Sequence, residues 1–267
     1  MTTNADDVRL KSGDAELTVA PGNGCRISSL RVRGIELLQQ GAKEGSFPTV
    51  PWCGRLAQGQ FHNGGERHQM PVNAPPHSIH GTGRDTAWRV TRTDTDSAAF
   101  IYDLADTAWP YPGRVSQLVE LTDSSLTLTV GVETGNDSFP AQAGWRPCFR
   151  RNLGTGGDVK LDFTPAWQEE RGEDQLPTGN RIDPASGPWD DTFGMPDGVH
   201  VTLTWPGALE LAIDSRAEWV TICDTQPEAI VVEPQSGPPN GLNTSPRLVT
   251  LIDPLEFSTT WTWRTLG

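Results

Sequence analysis

The sequence predicts an all-β fold. Apolar residues recur with a period close to two along most of the chain, as they do in half-buried strands. The 28 glycines and 22 prolines are spread over the whole length instead of concentrating in one linker, which is typical of many short strands joined by turns. No stretch has the 3.6-residue periodicity of an amphipathic helix of three or more turns. We therefore expect antiparallel sheet with little helix.

The clearest strand signal is a hairpin within residues 116–134. Val119 and Leu121 alternate with polar residues before the sequence TDSS, and Leu126 and Leu128 begin a second alternating run after it. This pattern predicts two half-buried strands joined by a short polar turn. Further short strands are predicted at residues 199–204, 210–213, 219–223, 229–232 and 259–263.

The length and the net charge of the chain limit the number of domains and the kinds of partner that we expect. All-β sandwiches reach 267 residues as single units, and no run resembles an interdomain linker, so we predict one domain over residues 1–267. The formal net charge of −13 argues against nucleic acid and anionic membrane as partners. The polar, acidic start MTTNADDVRLKSGDAEL lacks the basic and apolar regions of a signal peptide. Because no apolar run approaches the ~20 residues that span a bilayer, we predict a cytoplasmic protein.

Cysteine usage predicts neither a structural zinc site nor a disulfide framework. The four cysteines are far apart, form no C-x-x-C pair and have no neighbouring histidines. We expect reduced thiols at Cys25, Cys53, Cys148 and Cys223; two disulfides between widely separated cysteines that meet in space are the alternative.

Two segments in the first third of the chain carry side chains suited to a ligand. In residues 47–59 (FPTVPWCGRLAQG), Arg55 either holds the loop through carbonyl oxygens or presents its fork to ligand oxygens. In residues 73–83 (NAPPHSIHGTG), His77 and His80 stand three positions apart. With no third His or Cys nearby, a hydrogen-bonding or acid–base role is favoured over a metal site. Incidental histidines in a surface loop are the alternative.

Two later segments add an arginine cluster and a carboxylate. Residues 143–151 (AGWRPCFRR) either bind an anion or form an ordinary charged surface. In residues 230–243 (IVVEPQSGPPNGLN), an apolar strand runs into Glu233 and then Pro234, which is expected to end the ladder. A carboxylate at the mouth of a strand beside an apolar floor has a raised pKa when it is partly desolvated. A strand-terminal glutamate in solvent is the alternative.

Together these segments resemble the aldose 1-epimerases (galactose mutarotases), specifically the compact bacterial type. The motifs VPWCGRLAQGQF, HSIHG, LPTG, GPWDDTF and VVEPQSGPPNGLN occur in the order found in that family. The resemblance implies an antiparallel β-supersandwich with an open groove, no metal or organic cofactor, and a small-molecule sugar as the partner. It also implies that Glu233 is the base and that Arg55, His80 and Asp190 bind sugar hydroxyls. We assign His77 to the same binding group.

One position departs from the family pattern. Relatives carry a histidine, the family's proton donor, where this chain has Arg146. Arginine has a pKa above about 12 and cannot act as a conventional general acid at neutral pH. Loss of a general acid typically removes about 10²–10⁴-fold of rate. We assign Arg146 and Glu233 to the catalytic pair, with Arg146 pointing into the groove opposite Glu233, and expect weak activity on neutral hexoses.

Three functions follow from this combination. The first is an aldose 1-epimerase-like isomerase acting on a sugar or sugar-like hemiacetal. The second is a repurposed relative in which Glu233 remains a base and Arg146 grips an anionic or biosynthetic substrate. The third is a non-catalytic carbohydrate-binding protein. The retained Glu233 favours an enzyme, because a binding protein gains nothing from a poised base, whereas the lost histidine favours the other two.

Overall fold

The computed structural model describes residues 7–266; the first six residues of the amino-terminal segment and Gly267 lie outside this range. Short strands dominate it, as the period-two pattern predicts. In the first half of the chain the strands are β1 (Val8–Ser12), β2 (Ala15–Ala20), β3 (Arg26–Val32), β4 (Ile35–Glu36), β5 (Ser46–Pro48), β6 (Arg55–Leu56), β7 (Gln60–Asn63), β8 (Glu66–Gln69), β9 (Ser78–Ile79), β10 (Arg89–Thr93), β11 (Ser97–Asp103), β12 (Gly113–Leu121) and β13 (Ser125–Thr134).

The second half continues the pattern with one short α-helix. Its strands are β14 (Phe139–Pro140), β15 (Trp145–Arg150), β16 (Lys160–Asp162), β17 (Trp167–Arg171), β18 (Pro177–Ile182), β19 (Asp190–Gly194), β20 (Val199–Trp205), β21 (Leu209–Ser215), β22 (Trp219–Cys223), β23 (Ala229–Gln235), β24 (Leu248–Val249) and β25 (Leu255–Thr265). Helix α1 spans Gly241–Thr244, and single 3₁₀ turns lie at Pro21–Asn23, Ala57–Gly59, Gly83–Asp85 and Leu104–Asp106.

Two large antiparallel sheets make up the body of the fold. One has 11 strands, in the order β1-β2-β3-β5-β15-β23-β22-β19-β17-β18 with β4 beside β3. The other has eight strands, in the order β10-β11-β12-β13-β25-β21-β20-β16. Aromatic contacts join the inner faces: Trp145 of β15 stacks on Phe257 of β25 at 5.5 Å between centroids, and Phe149 meets Trp261 at 5.2 Å. The sheets are therefore packed face to face around one apolar layer.

The predicted hairpin is confirmed. β12 and β13 pair in continuous register from Gly113↔Thr134 to Leu121↔Leu126. Buried and half-exposed residues alternate along both strands, so their apolar side chains lie in the core between the sheets. The strands expected at residues 199–204, 210–213, 219–223, 229–232 and 259–263 are present as β20, β21, β22, β23 and β25.

The prediction that Pro234 ends its strand is wrong. β23 runs to Gln235, and its pairing with β22 continues through Thr221↔Glu233, Val220↔Pro234 and Trp219↔Gln235. Proline lacks an N–H, but its fixed φ is close to that of extended backbone. On the other side, the continuous ladder between β23 and β15 stops at Val231 and the next bridge is Gly144↔Gln235, so Pro234 lies in a gap where no N–H is needed. Glu233 is consequently held inside a central strand.

The structure bears on the predicted free thiols and on membrane-spanning helices. Cys25, Cys53, Cys148 and Cys223 are free. Within residues 7–266, no helix is both long and apolar enough to cross a membrane.

Candidate functional site

A cleft of about 320 Å³ lies on the outer face of the 11-stranded sheet, over strands β15, β17, β19, β22 and β23. It is lined by charged and hydroxyl side chains from these strands and by the loops that cross their ends. Five of the six predicted site residues line it: Arg55, His80, Arg146, Asp190 and Glu233.

Backbone pairing joins the segments that carry these residues. The two-residue strands β6 and β9 pair through Arg55↔Ile79, which places Arg55 beside His80. The side chain of Asn240 accepts a hydrogen bond from the Ala57 N–H at 3.1 Å, and the Asn240 N–H donates to the Arg55 carbonyl oxygen at 2.6 Å. These contacts tie the first two segments to the loop that follows Glu233.

The turn at His80 requires unusual backbone geometry. His80 has φ +63° and Gly81 has φ +72°. A Cβ on Gly81 would lie 1.9 Å from the carbonyl oxygen of Val50, so only glycine fits there. The His80 N–H donates to the Gly54 carbonyl oxygen at 3.0 Å, which fixes the imidazole at the cleft wall.

Arg146 and Glu233 project from adjacent strands. The Nε of Arg146 lies 3.3 Å from Oε1 of Glu233, and the two side chains are 21% and 7% exposed. Among residues 7–266, the Glu233 carboxyl group forms no other ion pair and accepts no side-chain hydrogen bond. The carboxyl group therefore faces the cleft with one partner, and that partner cannot release a proton.

Burial controls the protonation of Glu233. On the same face of the sheet, Cys148, Val231 and Cys223 form an apolar neighbourhood beside it. Desolvation raises the pKa of Glu233 to about 7, and the negative charge of Asp190 adds to this increase, while Arg146 and Arg55 oppose it. The group is thus poised to exchange a proton near neutral pH.

His80 is buried and uncharged. Its Nδ1 has no hydrogen-bond partner within the described chain, and its ring meets Phe47 edge-on at 5.8 Å. Burial lowers the pKa of His80 well below its usual value, and the positive charges of Arg146, Arg84 and Arg55 lower it further. The neutral imidazole can donate or accept a hydrogen bond but holds no proton to spare at pH 7.

Asp190 lies on the opposite side of Glu233 from Arg146. Its Oδ2 accepts a hydrogen bond from Arg171 Nη1 at 2.8 Å, and Arg171 Nε lies 3.9 Å from Asp191 Oδ1. The Asp190 side chain is 40% exposed, so it remains accessible to a ligand hydroxyl.

His77 is the predicted site residue that does not line the cleft. Its Nδ1 accepts a hydrogen bond from the Gln58 N–H at 3.0 Å, and its Nε2 lies 2.8 Å from the Asp174 carbonyl oxygen. This pairing requires the tautomer with the proton on Nε2. His77 ties the β17–β18 turn, which carries Gln175 to the cleft rim, to the loop before β7.

Sequence reasoning missed several lining residues. Thr192 and Thr221 form the floor, with their hydroxyl oxygens 2.7 Å apart. Glu169 and Arg171 come from β17, whose sequence contains no motif. The signal that was present is the occurrence of polar residues at alternate positions of strands that are otherwise buried, because these positions face outward into the cleft.

Comparisons with known proteins bear directly on this arrangement. The family model for aldose 1-epimerase matches residues 6–235. The chain belongs to the aldose 1-epimerase family. The uncharacterised Escherichia coli K12 protein YihR is 26% identical to it over 282 aligned positions, covering 94% of this chain and 90% of YihR. Mouse galactose mutarotase is 30% identical over 115 positions, covering 37% of this chain and 34% of the mouse protein.

Solved structures agree on the fold of this aldose 1-epimerase family member. A putative aldose 1-epimerase from Escherichia coli K12 superposes with a TM-score of 0.85 at 20% identity, covering 97% of this chain and 99% of that one. A galactose mutarotase-like protein from Clostridium acetobutylicum gives 0.84 at 14% identity, with 97% and 95% covered. The predicted all-β, galactose mutarotase-like sandwich is confirmed.

Proposed function

We propose that this protein is an isomerase that opens and recloses the ring of a small sugar hemiacetal, with Glu233 as the base. The observation that carries the proposal is the buried carboxyl of Glu233, whose pKa is raised to about 7 by desolvation, facing a cleft lined by Arg55, His80 and Asp190. A general base is most effective when its pKa is near the working pH. The surrounding donors and acceptors hold a polyol in one orientation.

The proton path uses one carboxyl group. Glu233 takes the proton from the O1 hydroxyl while the C1–O5 bond breaks, the C1=O1 double bond forms, and negative charge develops on O5. Arg146 stabilises that charge through its N–H groups without giving up a proton. The protonated Glu233 then returns its proton to O5. Rotation about C1–C2 and the reverse sequence on the other face of the aldehyde yield the second anomer.

This path lacks the independent acid that a histidine supplies. The neutral His80 contributes a hydrogen bond to a sugar hydroxyl, in the manner also proposed for Arg55 and Asp190. We expect anomer exchange on neutral hexoses to be slower by roughly 10²–10⁴-fold than in relatives with histidine in place of Arg146.

The test is anomer exchange with freshly dissolved α-D-glucose and α-D-galactose, followed by polarimetry and by NMR exchange spectroscopy. Glu233→Gln keeps the shape and removes the basicity, so catalysed exchange should fall by at least about 10²-fold. Glu120→Gln, an exposed carboxylate on β12 in the other sheet, is the matched control and should retain full activity. Parent-like turnover by Glu233→Gln would contradict the assignment of the base.

A second candidate is an isomerase acting on an anionic sugar. Among residues 7–266, the guanidinium of Arg55 has no carboxylate within ion-pair distance. Arg146 contacts Glu233 through Nε, and its terminal nitrogens donate no hydrogen bond to that part of the chain. Two guanidinium forks with free N–H groups at one end of the cleft favour a carboxylate or phosphate group. Tighter binding of D-glucuronate or D-glucose 6-phosphate than of D-glucose, weakening with added salt, would favour this candidate. Binding of any of these sugars without turnover would favour a carbohydrate-binding protein.

A further inference from the structure

Glu169 and Glu233 stand at the two ends of one row of cleft-facing side chains. Thr221 pairs with Glu233, and Thr192 pairs with Thr221. The pairing of β17 with β19 ends at Gln168↔Phe193, and Glu169 is the next residue of β17, on the side of Thr192. The row therefore reads glutamate, threonine, threonine, glutamate across four strands, and all four residues line the cleft.

The Glu169 carboxyl group accepts no hydrogen bond from residues 7–266. The residue is 8% exposed, and its ion-pair contact within that range is with Arg181, whose Nε lies 4.0 Å from Oε1. The Arg181 guanidinium stacks on the ring of Trp167, 3.8 Å from the centroid, and its 4.0 Å contact with the carboxylate is too long for a hydrogen bond. Burial raises the pKa of Glu169, and Arg181 opposes this increase.

Two other carboxylates of the cleft, Glu170 and Asp190, already accept side-chain hydrogen bonds. Glu170 accepts hydrogen bonds from Thr178 Oγ1 at 2.6 Å and Asn180 Nδ2 at 2.9 Å. Asp190 accepts one from Arg171. A buried carboxyl that lacks such partners is costly unless a ligand or water supplies them. Glu169 is thus a hydrogen-bond acceptor in the cleft wall that is available to a ligand.

The spacing of the row matches a sugar ring. Adjacent strands lie about 4.8 Å apart, so three steps separate the backbones of Glu169 and Glu233 by roughly 14 Å. The two side chains rise from the same face and can lean towards each other. With both carboxyl groups leaning inward, we expect the gap to hold one pyranose ring with a hydrogen bond at each end, above the hydroxyls of Thr192 and Thr221.

We propose that Glu169 determines specificity by accepting a hydrogen bond from the sugar hydroxyl at the end remote from the anomeric carbon, at C3 or C4. This inference rests on the proposed function, because Glu233 must hold the anomeric end. Glu169 takes no part in proton transfer. It fixes the ring so that O1 meets Glu233, and it discriminates between sugars by the position of their remote hydroxyls.

The experiment compares the parent protein with Glu169→Gln and Glu169→Leu, using whichever of D-glucose and D-galactose the parent converts. We expect KM to rise at least about tenfold in Glu169→Gln and further in Glu169→Leu, with kcat within about threefold of the parent. The 3-deoxy or 4-deoxy analogue that lacks the bound hydroxyl should show the same KM in parent and variants. Glu120→Gln again serves as the matched control, and circular dichroism verifies folding.

The outcomes separate the two proposals. An unchanged KM in both folded Glu169 variants, with an active parent, overturns the role of Glu169 and leaves the function intact. A loss of kcat at unchanged KM also overturns it, since that result would make Glu169 a catalytic group. A parent that neither binds nor converts these sugars overturns the proposed function, and the role of Glu169 falls with it.

Discussion

The Nε of Arg146 lies 3.3 Å from Oε1 of Glu233, in a cleft where the carboxyl is 7% exposed. This contact has two opposing effects on the site. The guanidinium stabilises the ionised form of Glu233, yet burial outweighs it, because the pKa of Glu233 still rises to about 7. The base is therefore retained, while the group beside it is a permanent cation.

Replacing Arg146 with histidine should raise anomer exchange on neutral hexoses by at least about tenfold, because imidazole can donate a proton to O5 and recover it in each cycle. Polarimetry on fresh α-D-glucose and α-D-galactose measures the change. Arg150→His, on the same strand but outside the cleft, is the matched control and should have no effect. No gain in a folded Arg146→His variant would indicate that the cleft has diverged by more than one proton donor.

The dependence of activity on pH should report Glu233. A base must be ionised, so kcat/KM should fall about tenfold per pH unit below the pKa of about 7 and level off above it. Steady-state kinetics between pH 5 and 9 measure the profile. A second, alkaline limb would instead reveal a separate acid whose pKa lies above 7.

Glu233→Gln should stabilise the fold at alkaline pH. The pKa of the Glu233 carboxyl group is raised from its ordinary value near 4.5 to about 7. The free energy of unfolding of the parent therefore falls as the pH rises between these values, since the unfolded state releases its proton first. Above pH 7 this effect lowers the free energy of unfolding of the parent by roughly 3 kcal/mol. The advantage of the variant is smaller than this, because the variant leaves Arg146 unpaired. Urea denaturation should show little difference between parent and variant at pH 5 and a larger advantage of the variant at pH 8. An equal difference at both values would show that the pKa is not raised.

His77→Ala should lower stability more than it affects chemistry. The side chain is buried and bridges the Gln58 N–H and the Asp174 carbonyl oxygen, so its loss leaves two backbone groups without partners. We expect the free energy of unfolding to fall by about 1–3 kcal/mol in urea titrations. His200→Ala, an exposed histidine of the second sheet, is the control. A large rise in KM with unchanged stability would return His77 to the binding group.

Local sequence patterns were sufficient to predict the strands and several of the cleft residues of this protein. Side chains alternate across a strand, so the period-two pattern of residues 116–134 determined which faces of β12 and β13 are buried. The same reasoning marked Glu233 at the end of an apolar run, and the motifs around Arg55, His80, Asp190 and Glu233 identified the segments that form the cleft. These features depend on neighbours within a few residues.

Only the tertiary structure decided which of those segments contact one another and how they change each other's pKa values. Whether His77 faces the cleft depends on the carbonyl oxygen of Asp174, which is 97 positions away in sequence. The place of Glu169 in the row with Glu233 depends on the order of four strands, and the pKa of Glu233 depends on burial by residues from several of them. Desolvation, register between distant strands and the pairing of charges are properties of three-dimensional proximity, and a pattern of adjacent residues does not contain them.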